Sequence, residues 1–191
     1  MFCLAGLGNP GREYAGNRHN AGRLLVEFLA GAWNAVGAGK KSDCDLHRAV
    51  RKDREILLAR PRAYMNVSGP PLVGLLKSCN IPLERFLLIH DDIDFPVGRL
   101  QLKRGGSAAG HHGVESVYET LGSSDFHRLR IGVGRPNRST KDYVLSDFTA
   151  GEMGDLERVF EKSVEGLDFW IDGHPSRAAQ ILNTVSANPL A

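Results

Sequence analysis

His19 stands between Arg18 and Asn20, just after a glycine-rich turn, and His90-Asp91-Asp92 follows the apolar run Phe86-Leu87-Leu88-Ile89. An imidazole beside a carboxylate is a general-base unit: the carboxylate fixes the ring tautomer and stabilises the imidazolium after proton uptake. Asn9, Asn20 and Asn66 add side-chain amides. Such groups donate and accept at once, which suits a peptide backbone whatever its side chains. No serine or cysteine makes a good nucleophile. Ser107, in Gly105-Gly106-Ser107-Ala108-Ala109, lacks the second glycine and the preceding apolar strand of a nucleophile elbow. Cys3, Cys44 and Cys79 are odd in number and scattered, with no C-x-x-C spacing, as in a reduced cytosolic protein. An activated water is therefore the simplest attacking group.

Three further motifs compete for a role. The stretch from Lys103-Arg104 through Gly105 to Gly113 is glycine-rich, begins with cations and leads into a helix N-terminus. Backbone N–H groups in such a loop can bind phosphate or another acceptor-rich ligand. Arg128, Arg130, Arg135 and Arg138 bracket a strand. Alternation puts Arg128 and Arg130 on one face, as a phosphate-contacting pair. Gly6-x-Gly8-x-x-Gly11 matches the dinucleotide fingerprint, but its helix begins too late, and Glu27 lies within a helical repeat and not at a strand end. His90-Asp91-Asp92-x-Asp94 offers hard-cation ligands, yet a strand turns adjacent carboxylates to opposite sides.

The elements that must position these groups follow from periodicity. Residues 2–7 read as a buried strand running into Gly8-Asn9-Pro10-Gly11, and Leu24, Leu25, Phe28 and Leu29 recur at helical spacing until Gly37 and Gly39. Residues 45–51 and 55–60 read as two strands around the turn Lys52-Asp53-Arg54. A helix over roughly 70–79 follows, with Ser68 as its N-cap. The run from Phe86 is typical of a strand covered on both faces. Next come a strand at about 97–103, a helix at about 113–121, a strand at 129–133, a loop at 135–142, and helices near 152–171 and 176–183. Interleaved strands and helices predict an α/β sandwich, with a twisted, mixed, mostly parallel sheet and helices on both faces. If the strands from residues 2 and 86 are parallel, His19 meets Asp91 and Asp92 at one sheet edge, where open α/β sheets place their sites.

The chain has 191 residues, of which 42% are hydrophobic and 24% charged, as in an ordinary soluble globular protein. One domain over 1–191 is expected. This composition excludes a disordered chain, a fibrous repeat and a disulfide-stapled mini-protein. There are 22 glycines, against a usual ~7% of residues, and they concentrate in the loops just described. Apolar runs fall short of a membrane span, and no signal peptide is evident, so the cytosol is the expected location. The formal charge of +2 hides an uneven distribution. Residues 95–141 carry eight Lys/Arg against three Asp/Glu, residues 40–62 carry eight against four, and residues 142–172 carry two against nine. The basic segments are either solvated faces or a surface for a polyanion such as nucleic acid.

Six segments in order resemble one family, the bacterial-type peptidyl-tRNA hydrolases. They are Gly6-Leu7-Gly8-Asn9-Pro10-Gly11-Arg12-Glu13-Tyr14, Asn17-Arg18-His19-Asn20-Ala21-Gly22, Arg62-Ala63-Tyr64-Met65-Asn66-Val67-Ser68-Gly69, His90-Asp91-Asp92-Ile93-Asp94, Gly105-Gly106 through Gly110-His111-His112-Gly113, and residues Phe126 to Pro136. The resemblance implies a cofactor-free, metal-free enzyme, usually monomeric and without an obligate protein partner. Its reaction is hydrolysis of the ester joining a peptide to the 3′-terminal ribose of tRNA, which recycles peptidyl-tRNA dropped from ribosomes. It implies that His19 is the base acting on water and that Asp91 orients and tunes it. Asn9 and Asn66 would position the peptide part and polarise its carbonyl. Tyr14, Met65 and His111 would line the cleft, with His112 also at the substrate. Lys103 and Arg130 would hold the 5′-phosphate end of the acceptor stem. Two positions depart from the pattern: His112 stands where the family commonly has asparagine, and Asn17 where threonine is usual. A non-hydrolytic RNA or protein adaptor on the same fold is the competing reading, which the retained Asn9, His19, Asn66 and Asp91 oppose. A nucleotide-dependent oxidoreductase is a third.

Overall fold

A computed structural model describes residues 1–135 and 139–187. Pro136 and Arg138 lie outside the described residues. Among the described residues seven strands form one sheet: β1 (Phe2–Gly6), β2 (Val36–Lys41), β3 (Cys44–Arg51), β4 (Arg54–Pro61), β5 (Phe86–Asp92), β6 (Leu100–Arg104) and β7 (His127–Gly132). Their order is β2-β3-β4-β1-β5-β7-β6. The central block β4-β1-β5-β7 is parallel, and antiparallel strands flank it on both sides. The sheet is therefore mixed, with its parallel pairs at the centre.

Alternation along the central strands builds two cores. Phe2 and Leu4 join Leu58, Leu87, Ile89, Leu129 and Ile131 on one face, under α1 (Ala21–Ala32), α5 (Ala150–Ile171) and α6 (Pro175–Leu182). Cys3 and Ala5 join Leu57, Leu88 and Phe126 on the other, under α2 (Gly69–Ser78) and α3 (His112–Leu121). Leu25, Val26 and Leu29 of α1 are fully buried, each stabilising by about 1.5–3 kcal/mol. A close backbone approach seats α1: a Cβ on Gly6 would collide with the Gly22 carbonyl, and one on Gly22 with the Ile89 carbonyl. The chain leaving β1 turns to one face and the chain leaving β4 to the other, which opens a crevice at the carboxyl edge of the parallel strands.

Several elements differ from the sequence expectation. Helix α1 ends at Ala32, and Gly37 and Gly39 lie in β2, an exposed edge strand. Its pairing with β3 shifts register between Gly37 and Lys40, where Gly39 takes φ 75°, a bulge that glycine permits. The expected hairpin is present, with Lys52 and Asp53 both at positive φ in a two-residue primed turn. Ser68 precedes α2 but does not cap it: its hydroxyl donates to the Met65 carbonyl at 2.9 Å, and the Gly69 N–H is taken by Ser116 Oγ at 3.0 Å. Strand β6 begins at Leu100, because residues around Gly98 turn to pair with Gly132 and Pro96. The expected loop at 135–142 contains the start of a short helix, α4 (Thr140–Val144). Thr149 and Glu152 form a capping box that starts α5. Among the described residues no helix is long and apolar enough to cross a membrane.

Candidate functional site

Two tight loops and one strand end converge at the carboxyl edge. His19 lies on the 3₁₀ turn Arg18–Asn20 that leads into α1, Asp91 near the end of β5, and His111 just ahead of α3. Asp91 is buried, and both of its oxygens lie 2.9 Å from His19 Nδ1. Oδ1 is also 2.9 Å from His111 Nε2.

The ring tautomers follow from the hydrogen bonds. His111 Nδ1 accepts the backbone N–H of Gly113 at 3.1 Å and of Val114 at 3.3 Å, which makes His111 the N-cap of α3. Its proton therefore sits on Nε2 and is donated to Asp91. The ionised carboxylate accepts a second hydrogen bond, from His19 Nδ1–H, which leaves His19 Nε2 with a lone pair. That atom makes no hydrogen bond among the described residues. Burial works against protonation of His19, but the charge of Asp91 and the hydrogen bond to it prevail and hold the ring above the ordinary value of 6.5. Burial would push Asp91 up; the two imidazoles, by charge and by hydrogen bond, keep it well below the ordinary carboxylate range.

His90 lies beneath this group, fully buried. Its Nδ1 donates to the Asp91 carbonyl at 2.7 Å, and its ring meets that of His111 edge-on with centroids 4.9 Å apart. Burial, together with His111 and Arg128, holds His90 well below 6.5. The ligand atoms of His19, Asp91 and His111 fall within 4.8 Å of one another. This donor set does not fit a resident cation: a metal on His111 Nε2 would need a ring deprotonated at both nitrogens, because Nδ1 already accepts two N–H groups. Asp92 turns away to Arg130, as the alternation argument anticipated.

The amide side chains are fixed by neighbouring loops. Asn20 Oδ1 accepts the Asn9 N–H at 2.8 Å, and Asn20 Nδ2 donates to the Asn9 carbonyl at 3.0 Å. Asn9 Oδ1 accepts the Met65 N–H at 2.8 Å. That bond sets the orientation of the Asn9 amide and leaves Nδ2 as a donor with no partner among the described residues. Met65 is buried, and its sulfur packs against Gly113, so α3 approaches closely here. Asn66 is exposed beside it. Tyr14 meets the exposed Tyr64 edge-on with centroids 6.4 Å apart. His112 points to solvent at the first turn of α3, with Nδ1 3.0 Å from Glu115. Of the residues singled out in the sequence, His19, Asp91 and His111 are in mutual contact, and Asn9 and Met65 are bonded to each other.

The cationic residues separate into two kinds. Arg128 is buried, and its guanidinium donates to the carbonyls of Gly105 at 2.8 Å and Ser107 at 3.0 Å. The expectation of an Arg128–Arg130 phosphate pair is therefore corrected at Arg128: alternation does put both on one face, but at Arg128 that face is covered by the glycine-rich loop. Arg130 is ion-paired to Asp92 at 2.5 Å, bonded to Gln101 at 2.6 Å and stacked on Phe95, with 15% of its side chain exposed. Lys103 lies against Gly106, and partial burial, with Arg128 and Arg130 nearby, lowers its pKa from the ordinary lysine value. Gly6 and Gly8 of the dinucleotide-like motif serve packing against α1, and only Gly11 takes an unusual angle, φ 112°. Sequence reasoning gave no role to Arg18, and weighed His90 and Asp92 only as cation ligands or, for Asp92, as a carboxylate at the sheet edge. Their burial and partners became legible only with the fold.

Comparison with known proteins identifies the family of the chain. A family model described as peptidyl-tRNA hydrolase matches residues 3–189. A peptidyl-tRNA hydrolase of Bacillus cytotoxicus is 40% identical over 174 residues, covering 90% of this chain and 94% of that protein. One of Lawsonia intracellularis is 37% identical over 185 residues, covering 95% and 92%. The crystal structure of peptidyl-tRNA hydrolase from Acinetobacter baumannii superposes with a TM-score of 0.92 at 31% identity, covering 98% of this chain and 97% of that one.

Proposed function

Because this chain belongs to the peptidyl-tRNA hydrolase family and is thereby an enzyme that hydrolyses peptidyl-tRNA, we propose that it cleaves the ester between peptide and 3′-terminal ribose with a water activated by His19. The observation that carries this reading is the chain from His111 Nε2 through the Asp91 carboxylate to His19 Nδ1. It leaves an imidazole nitrogen that can take a proton, backed by a buried anion that stabilises the imidazolium.

In the proposed reaction His19 Nε2 removes a proton from water as the oxygen attacks the ester carbonyl carbon. Asn9 Nδ2 donates to the developing oxyanion, a contribution of roughly 10²–10³-fold for one such donor. The intermediate collapses by breaking the bond to the ribose 3′ oxygen, which takes the proton back from His19. A positioned base contributes roughly 10²–10⁴-fold. Asn66, Tyr14, Met65 and the exposed His112 border the peptide and the 3′ end. Lys103 and Arg130 hold the 5′-phosphate end by charge, without reading bases. The reaction needs no protein nucleophile, and free tRNA and peptide are its products.

The test is deacylation of an N-acetylaminoacyl-tRNA by wild type and His19→Ala in parallel. The wild type is expected to release N-acetyl amino acid. The variant is expected to lose activity by orders of magnitude while tRNA binding is retained. A fully active His19→Ala would overturn the mechanism.

A further inference from the structure

Arg18 is a buried charge that the mechanism above does not use. It immediately precedes His19, and its side chain is 8% exposed. Its guanidinium forms a two-pronged pair with Glu152, NH1 to Oε1 at 2.9 Å and NH2 to Oε2 at 2.8 Å, and NH1 also reaches the Val133 carbonyl at 3.2 Å. Its terminal carbon lies 4.6 Å from the centre of the Tyr143 ring and 5.0 Å from that of Phe148. Tyr143 is itself tied to the same Val133 carbonyl, at 2.8 Å. The backbones join too: Arg18 N–H donates to Ser146 at 3.0 Å, and Phe148 N–H to Gly16 at 3.0 Å.

The residue on the other side of His19 is anchored as firmly. Asn20 makes the reciprocal pair of bonds with the Asn9 backbone. His19 is thus held at both flanks, by Asn20 to the β1 loop and by Arg18 to the start of α5, while among the described residues its own side-chain hydrogen bonds go to Asp91 alone. A buried guanidinium that meets a carboxylate in a planar fork and lies against two rings fixes position and direction together, which lysine at the same place would not do. Glu152 is fixed in turn, because it closes the capping box at Thr149.

From this we infer that Arg18 is a positioning residue for the reaction: its clamp to Glu152, Tyr143 and Phe148 sets the place of His19 against Asp91. The inference rests on His19 being the base. A displacement of about 1 Å at a reacting group costs on the order of 10²-fold, so loss of the clamp is read in turnover more than in binding.

The experiment compares wild type, Arg18→Met, Arg18→Lys, Glu152→Gln, the Arg18→Met/Glu152→Gln double variant and His19→Ala on N-acetylaminoacyl-tRNA, with kcat and KM separated. Arg18→Met keeps the bulk and removes the fork; its kcat is expected to fall roughly 10–100-fold with KM within about threefold. Arg18→Lys should recover only part of this. Glu152→Gln keeps the cap and weakens the fork, and serves if Arg18→Met does not fold; its kcat should fall by a smaller factor. The double variant should be no slower than Arg18→Met, because both substitutions break one clamp. A folded Arg18→Met, or failing that Glu152→Gln, with kcat within twofold of wild type would overturn the inference, as would an effect confined to KM. If His19→Ala is inactive while the clamp variants turn over normally, only the role of Arg18 fails. If His19→Ala is active, the reading of the base fails first.

Discussion

His111 ties the start of α3 to Asp91: one ring nitrogen accepts hydrogen bonds from the N–H groups of Gly113 and Val114, and the N–H of the other donates to the carboxylate. The carboxylate that orients His19 is therefore shared, and the two imidazoles compete for its charge.

His111→Ala removes one of these donors. The charge of Asp91 then bears on His19 with less compensation, so the rising limb of the pH–rate profile moves to higher pH. The helix also loses its cap, which lowers stability by about 1 kcal/mol. A pH–rate series and a urea titration measure both, and an unmoved limb counts against the shared carboxylate.

Asp91→Asn works in the opposite direction. With the anion gone, the cause that raises His19 disappears, and the limb moves down. The new amide can also donate to His19 Nδ1, shifting the ring proton to Nε2, the wrong tautomer for a base. Loss of turnover of roughly 10²–10⁴-fold is expected. Retention of near-normal kcat would show that the carboxylate does not set the tautomer.

Stability should depend on His90 and His19 with opposite signs. His90 is held well below 6.5, so its contribution is present above that value and is lost as the pH falls through it toward the depressed folded pKa. His19 is raised, so its contribution is present below 6.5 and is lost as the pH rises through its folded value. Between about pH 8 and pH 5, His90→Asn should lose less stability than wild type, and His19→Ala more. Urea midpoints at the two pH values decide this; parallel behaviour of the two variants contradicts the assigned charge states.

Lys103→Ala and Arg128→Ala should separate binding from folding. If Lys103 meets phosphate, its removal weakens tRNA binding and lowers the salt slope by about one. Arg128→Ala strips two carbonyls of their buried donor, destabilising the fold by about 1–3 kcal/mol. A steeper or unchanged salt slope in Lys103→Ala removes that lysine from the phosphate site.

Much of this arrangement was legible in the sequence where burial is total. Strands β1 and β5 read correctly because both faces are covered, so Phe2 to Ala5 and Phe86 to Ile89 are apolar without interruption. Strand β2 did not, because an exposed, glycine-bearing edge has neither alternation nor apolar content to signal it. Alternation placed Arg128 and Arg130 together but could not say that a loop covers one of them. That His19 meets a carboxylate of the Asp91-Asp92 pair followed from the parallel strand ends; that it is Asp91 came from the family resemblance. The bridging by His111 did not follow, since histidine is not among the usual helix caps and its second bond depends on a contact 20 residues away in the chain.

Gly6 and Gly22 bear on all of this without touching the reacting groups. Helix α1 begins where the turn carrying His19 ends, and its height above the strands is set by bare backbone meeting bare backbone. A single methyl at either position would act as a shim beneath the helix, lifting residue 19 away from its carboxylate. The spacing on which the proposed base depends is thus gauged by two residues with no side chain, and a change as small as glycine to alanine should register as lost turnover.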